Sequence, residues 1–167
     1  MTDNQRIIII GNSGCGKTFL SKRISRPATK IIHLDEAFWE PGGFNKKRPQ
    51  EIVARELQNI PKLERWVVEG VFGELADLFL ERATCLIWLD MDWQTCQRNL
   101  LDRGSESSNQ LDAEAAEANF QTLLAWASGY WQRNGPRSYS GHLKIFNDFV
   151  GQKYRLKNKS ELTDFSL

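Results

Sequence analysis

Apolar residues fall in short runs separated by polar stretches with helical spacing. Residues 6–10 (Arg-Ile-Ile-Ile-Ile) are a β-branched run ending at Gly11, which predicts a buried strand. Over residues 17–25, Phe19, Leu20 and Ile24 share one side, predicting a helix that Pro27 closes. Short apolar runs predict further strands at 30–34, 66–68 and 84–89. Pro49 suits the first position of a helix, with Ile52, Val53, Leu57 and Ile60 on one face and Pro61 as its stop. Helices are also expected over 74–81, over 94–103 with Asp92 as cap, over 112–131 and over 161–167. The third of these carries Phe120, Leu123, Leu124, Ala127 and Trp131 in an amphipathic pattern, and Gly135-Pro136 ends it. Residues 38–49 and the Ser/Asn-rich 104–110 read as loops, the second one mobile. Residues 143–146 predict a short strand and 154–156 another extended piece.

Strand and helix therefore alternate, which predicts an α/β fold: a parallel sheet with helices on both faces. No repeat or linker divides the 167 residues, enough for one core, so 1–167 reads as a single domain. In such sheets ligands bind beyond the carboxyl ends of the strands. The residues expected there are Gly11, Asp35, Glu69 and Asp90.

Composition narrows the function classes. A net charge of +1 excludes a bulk electrostatic pull toward nucleic acid or membrane. The apolar runs are too short to span a bilayer and the start of the chain is polar, so a cytoplasmic protein is expected. The three cysteines match no zinc pattern and read as reduced thiols; His33 and His142 alone make no metal cluster.

The strongest chemical signal is Gly11-Asn12-Ser13-Gly14-Cys15-Gly16-Lys17-Thr18, which fits G-x-x-x-x-G-K-[ST] between a predicted strand and a predicted helix. Glycines let the backbone amides form a nest for phosphate oxygens, and the following helix adds the positive end of its dipole. Lys17 then reaches the β and γ phosphates of a nucleoside triphosphate, and the Thr18 hydroxyl ligates Mg2+. Phe19, next in sequence, is counted with these ATP-contacting residues. Cys15 lies inside the nest: either the helix N-terminus lowers its pKa and exposes it to oxidation, or it is a small residue that fits.

Magnesium in such a loop also needs a carboxylate behind its water shell. Asp35, Glu69 and Asp90 each end an apolar run, where an acid also serves as a helix cap. Glu69 is favoured by Gly70, which lets a ligand approach the backbone, and Asp35 by the aromatic and basic loop after it. Asp35 is also the candidate to accept a proton from a substrate hydroxyl.

His33-Leu34-Asp35, Trp39, Pro41-Gly42 and Glu69-Gly70, with the phosphate loop and the tail from Tyr139-Ser140-Gly141-His142 to Leu156-Lys157, resemble the adenylate-kinase-like small P-loop proteins of the DNA topology modulation (FlaR-related) group. The resemblance implies a three-layer P-loop NTPase fold with a five-stranded parallel sheet in the order 2-3-1-4-5 and a helical lid over about residues 102–137. It implies that Arg98 and Arg103 stand at the base of the lid, where one such arginine covers the adenine or touches the transferred phosphate, with Arg133 and Arg137 on its far side. The expected activity is that of an ATP-dependent kinase or ATPase, with Lys17, Asp35, Arg103 and Arg137 as catalytic residues and Thr18, Glu69 and Asp35 around the metal. The alternative is a nucleotide-dependent regulator associated with DNA topology, although the charge balance gives DNA little to bind. The lid over residues 104–118 departs from the pattern: it has no basic residue and carries Glu106, Asp112, Glu114 and Glu117. It would clamp a phosphorylated acceptor poorly, which leaves an uncharged or basic small molecule, or water, as the expected acceptor. The cluster Lys46-Lys47-Arg48 offers phosphate contacts or a solvated loop. The chain is expected to act as a monomer or homodimer.

Overall fold

The computed structural model describes residues 4–40, 46–71, 75, 77–104 and 112–167. The four isoleucines of β1 (Arg6–Gly11) are almost wholly removed from solvent, so this strand can only lie at the centre of the sheet. It pairs in parallel with β3 (Trp66–Gly70) on one side and β4 (Cys85–Leu89) on the other; β2 (Lys30–His33) flanks β3, and β5 (Gln152–Leu156) flanks β4. The order is β2-β3-β1-β4-β5, all parallel, as the resemblance implies.

Eight helices cover this sheet among the described residues: α1 (Lys17–Ile24), α2 (Leu34–Phe38), α3 (Gln50–Leu57), α4 (Asp77–Leu80), α5 (Trp93–Arg103), α6 (Ala113–Ser128), α7 (Tyr139–Asp148) and α8 (Lys159–Asp164). Alternation along each strand divides the core in two. Ile8, Ile10, Trp66, Val68, Leu86 and Trp88 face Val53 and Leu57 of α3, Phe79 of α4 and the apolar side of α7. Ile7, Ile9, Val67, Ile87 and Leu89 face Leu20 and Ile24 of α1, Cys96 of α5 and Leu162 of α8. The result is the expected three-layer P-loop arrangement. None of the described helices is long and apolar enough to cross a membrane.

Several boundaries differ from expectation, each for a local reason. Residues 143–146 are not a strand but the interior of α7. Leu143, Ile145 and Phe146 fall in a stretch the length of a strand, too short for periodicity to tell strand from helix. Ser138 decides it: its Oγ accepts from the Gly141 N–H at 3.2 Å and starts a helix. His142 of that helix is fully buried, its Nδ1 2.6 Å from Tyr130 Oη, and Trp88 Nε1 donates to the same hydroxyl at 3.3 Å. The fifth strand is the extended piece at β5, longer than predicted. Residue 34 opens α2 instead of ending β2. Asp92 caps α5 as expected, its Oδ1 accepting from the Thr95 N–H at 2.7 Å, and Asp112 does the same for α6 through Ala115 at 2.8 Å. The expected helix over 74–81 is seen as α4, while residues 72–74 and 76 lie outside the described residues, as do 105–111 of the expected lid.

Ile9 sits mid-strand with no exposed surface. Ile9→Ala is expected to lower the unfolding free energy by about 2–5 kcal/mol in urea titration, with an unchanged denaturant slope.

Candidate active site

The parallel register sets the ends of β1, β2 and β3 side by side: Ile10 lies opposite Gly70 and His33 opposite Glu69. The chain leaves β1 through Gly11 and turns back into α1, and two backbone positions in that turn admit only glycine. Gly14 has φ 79°, and a Cβ there would lie 2.4 Å from the Cys96 carbonyl oxygen. Gly16, at the mouth of α1, has φ 101°. The loop is tied from three directions. Asn99 Nδ2 on α5 donates to Gly14 O at 2.7 Å, Asn12 Nδ2 donates to Ala127 O of α6 at 2.9 Å, and Lys17 Nζ donates to Asn12 O at 2.8 Å. Neither asparagine carries a motif signal for this task; only the fold brings each to its carbonyl.

Lys17 is buried, and burial opposes its charge; Cys15 and the carboxylates of Asp35 and Glu69 more than offset this and raise its pKa. The thiol inside the nest fits the second of its two readings, a small residue packed into the loop. Burial raises the Cys15 pKa, with Lys17 acting against it, so the helix N-terminus does not make it reactive.

Three side chains meet at Glu69. Its Oε1 accepts from the Thr18 hydroxyl at 2.8 Å and stands 2.6 Å from His33 Nδ1. Burial works against the Glu69 charge, but His33, Lys17 and Thr18 together hold its pKa below the usual carboxylate value. The hydrogen bond to Glu69 raises the His33 pKa in turn, despite partial burial. His33 was visible only as part of a string; its contact with Glu69 comes from the strand register. Asp35, on the first turn of α2, goes the other way: burial raises its pKa, Glu69 adds to that, and Lys17, the Val71 N–H and Arg137 oppose it. Gly70 lets the start of α2 pack close to the end of β3: a Cβ there would lie 3.0 Å from Leu34 Cβ. Asp90, the third candidate, is bound away from this group by Arg155 at 2.7 Å. Among the described residues no three His, Cys, Asp or Glu side chains form a metal cage. Thr18 and Glu69 nonetheless make an all-oxygen pair with an ionised carboxylate, which fits Mg2+, an ion that keeps several waters and is completed by substrate phosphates.

Two adjoining cavities open here. The larger, about 1030 Å³, runs from Ser13–Phe19 past His33 and Glu69 to Asn99 and Arg103 of α5 and Lys159 of α8. The second, about 500 Å³, is walled by Phe38, Trp39, Trp126 and Arg137. Ser13, Asp35, Trp39 and Leu123 line both. The expected arginines therefore separate: Arg103 faces the larger cavity, Arg137 the second one, where its guanidinium lies 4.2 Å from the centre of the Phe38 ring. Arg98 is exposed on α5 and lines neither cavity. Arg133 donates to the backbone carbonyls of Arg137 and Trp126 and stacks on the Trp126 ring. Of the basic cluster, Lys46 is exposed, Lys47 lines the second cavity and Arg48 is paired with Glu56 at 2.6 Å. Trp126 is a wall of the second cavity and not a core residue.

No protein-family model and no curated protein matches the chain. Solved structures similar to it include a gluconokinase from Sinorhizobium meliloti 1021, 15% identical over 96% of this chain and 86% of that one, with a TM-score of 0.48. An unliganded sugar kinase from Janibacter sp. HTCC2649 is 13% identical over 95% and 90% of the two chains, also with a TM-score of 0.48. A shikimate kinase from Bacteroides thetaiotaomicron is 20% identical over 74% and 79%, with a TM-score of 0.43.

All three cysteines are buried; the Cys85 thiol is pushed up to about 12 by burial alone, and Cys96 is raised for the same first reason. Alkylation by iodoacetamide at pH 8 is expected to run about 100-fold slower in the folded protein than in urea, at all three sites, by mass spectrometry of timed digests. Rapid labelling of Cys15 in the folded protein would contradict its inert setting.

Proposed function

We propose that the protein is a small phosphotransferase that moves the γ-phosphoryl group of Mg-ATP to a hydroxyl of a small acceptor, and that it belongs to the adenylate-kinase-like DNA topology modulation group that its sequence resembles. One observation carries this reading above the others: Asp35 is common to the nucleotide-sized cavity and to its smaller neighbour. A carboxylate at such a junction stands between a phosphate donor in one space and a hydroxyl in the other.

The residues divide the work by their charge states. The loop amides and Lys17 bind and orient the β and γ phosphates. Thr18 and Glu69 would hold Mg2+, which when bound neutralises charge on those phosphates. His33 keeps the Glu69 carboxylate ionised and turned toward Thr18. Burial raises the Asp35 pKa, which suits it to take the proton of the acceptor hydroxyl. The acceptor oxygen bonds to the γ phosphorus, the bond from that phosphorus to the β–γ bridging oxygen breaks, and ADP leaves with the electron pair. Arg103, facing the larger cavity, would steady charge on the transferred group. The short aromatic segment Phe38-Trp39 helps keep water from the junction.

Lys17→Ala is expected to lower ATP turnover by at least about 100-fold. Asp35→Asn is expected to lower kcat by about 100-fold or more while the ATP dissociation constant stays within about threefold. A coupled ADP assay across nucleoside monophosphates, nucleosides and hydroxylated small molecules, with calorimetric ATP binding, checks both. Tight ATP binding with an Asp35→Asn turnover equal to wild type would sink the assignment of Asp35 as base.

A further inference from the structure

The second cavity has a charge pattern that the lid sequence does not foretell. Its cations are Lys47, Arg133 and Arg137, and its one acid among the described residues is Asp35, which it shares with the nucleotide cavity. The acids expected to repel an anionic acceptor are elsewhere: Asp112, Glu114 and Glu117 are all exposed, Asp112 caps α6, Glu117 bonds to Gln121, and none of the three lines this cavity. Glu106 lies outside the described residues.

The cations are also held in place. Arg133 spends its Nε and Nη2 on Arg137 O at 3.0 and 2.8 Å and its third nitrogen on Trp126 O, with its face on the Trp126 ring. These contacts are with carbonyl oxygens and aromatic faces, so no carboxylate among them offsets its positive charge. Arg137, whose backbone Arg133 grips, projects over Phe38 from the opposite wall. Lys47 stands 5.5 Å from the centre of the same ring. On α6, the buried Asn119 Nδ2 has no hydrogen-bond partner among the described residues and lines the same space. An unmatched amide donor costs free energy unless a ligand oxygen meets it. Cations stacked on aromatic rings, an unmatched donor and a single carboxylate at one end describe a space built for an oxygen-rich anion with a hydroxyl at its far end.

We propose that the second cavity takes a small hydroxylated anion, its carboxylate or phosphate group toward Arg137 and Lys47, its hydroxyl toward Asp35, and its carbon skeleton against Phe38, Trp39 and Trp126. This rests on the phosphotransferase reading for the role of the hydroxyl, and on the cavity alone for the charge. It reverses the uncharged or basic acceptor that the acidic lid led one to expect. Lys47, Arg137 and Asn119 are then specificity residues, and Asp35 receives the proton in the transfer described above.

The test separates binding from turnover. Tryptophan fluorescence, to which Trp39 and Trp126 contribute from the cavity wall, is titrated in Mg-ADP at constant ionic strength. The probes are three matched pairs: D-glycerate and glycerol, gluconate and glucose, AMP and adenosine. At least one anionic member is expected to saturate with a dissociation constant at least tenfold below its neutral partner's. A response confined to glycerate and gluconate identifies a carboxylate source, and one confined to AMP a phosphate source. Arg137→Gln is expected to weaken that anion by about tenfold or more, and Arg137→Lys to recover part of the loss, which separates charge from folding. Equal binding of the neutral partners, or saturation by no anion, overturns the proposal. ATP consumption with the same probes reports on phosphotransfer independently: an anion that binds selectively without accelerating it leaves the charge assignment standing and counts against the phosphotransferase reading.

Discussion

Everything at the candidate site depends on one buried cation. Lys17 keeps its ammonium group under the loop with only 6% of the residue exposed, a position that costs several kcal/mol for an unpaired charge. It is tolerated because Asn12 O accepts a hydrogen bond from its Nζ at 2.8 Å and because Asp35 and Glu69 lie close enough to favour its charge. The compensation runs in both directions. Lys17 helps keep Glu69 ionised, and its presence restrains the rise that burial imposes on Asp35. One buried cation and two acids thus meet before any ligand arrives, and an anion entering the loop would exchange partners with that group.

The sheet is what makes that group possible. Because β1, β2 and β3 are parallel neighbours, their carboxyl ends emerge at one edge, and residues separated by dozens of positions become adjacent. The buried β1 run and the loop motif made this legible: one apolar strand, one glycine-rich turn and one helix leave little freedom in where Lys17 and Thr18 go. The acids at the ends of the second and third strands could be picked out by the same reasoning, since a charge directly after an apolar strand lies where ligands bind.

What stayed hidden required contacts that no short stretch encodes. Leu143 and Phe146 belong to a helix because of a serine cap five residues before Leu143, and a tetrapeptide is too short for a periodicity to reveal it. His33 looked like part of a string until the register put it opposite Glu69. The second cavity is assembled from α2, α6 and the turn before α7, so its charge could not be read from the lid alone. Asp112, Glu114 and Glu117 are exposed and line neither cavity, whereas Arg133 and Arg137, further along the chain, line the second one.

Asn12 joins the two halves of the site. Its Nδ2 donates to Ala127 O at the end of α6, while its backbone carbonyl oxygen accepts a hydrogen bond from Lys17 Nζ and its side-chain oxygen accepts one from the Ser13 N–H at 2.9 Å. One residue therefore belongs both to the phosphate nest and to the helix that walls the neighbouring cavity. Any reshaping of the nest on filling is a strain shared with that helix, and the reverse holds to the same extent, because a coupling free energy between two sites is reciprocal. The bond ties the loop and the neighbouring wall into a single mechanical unit.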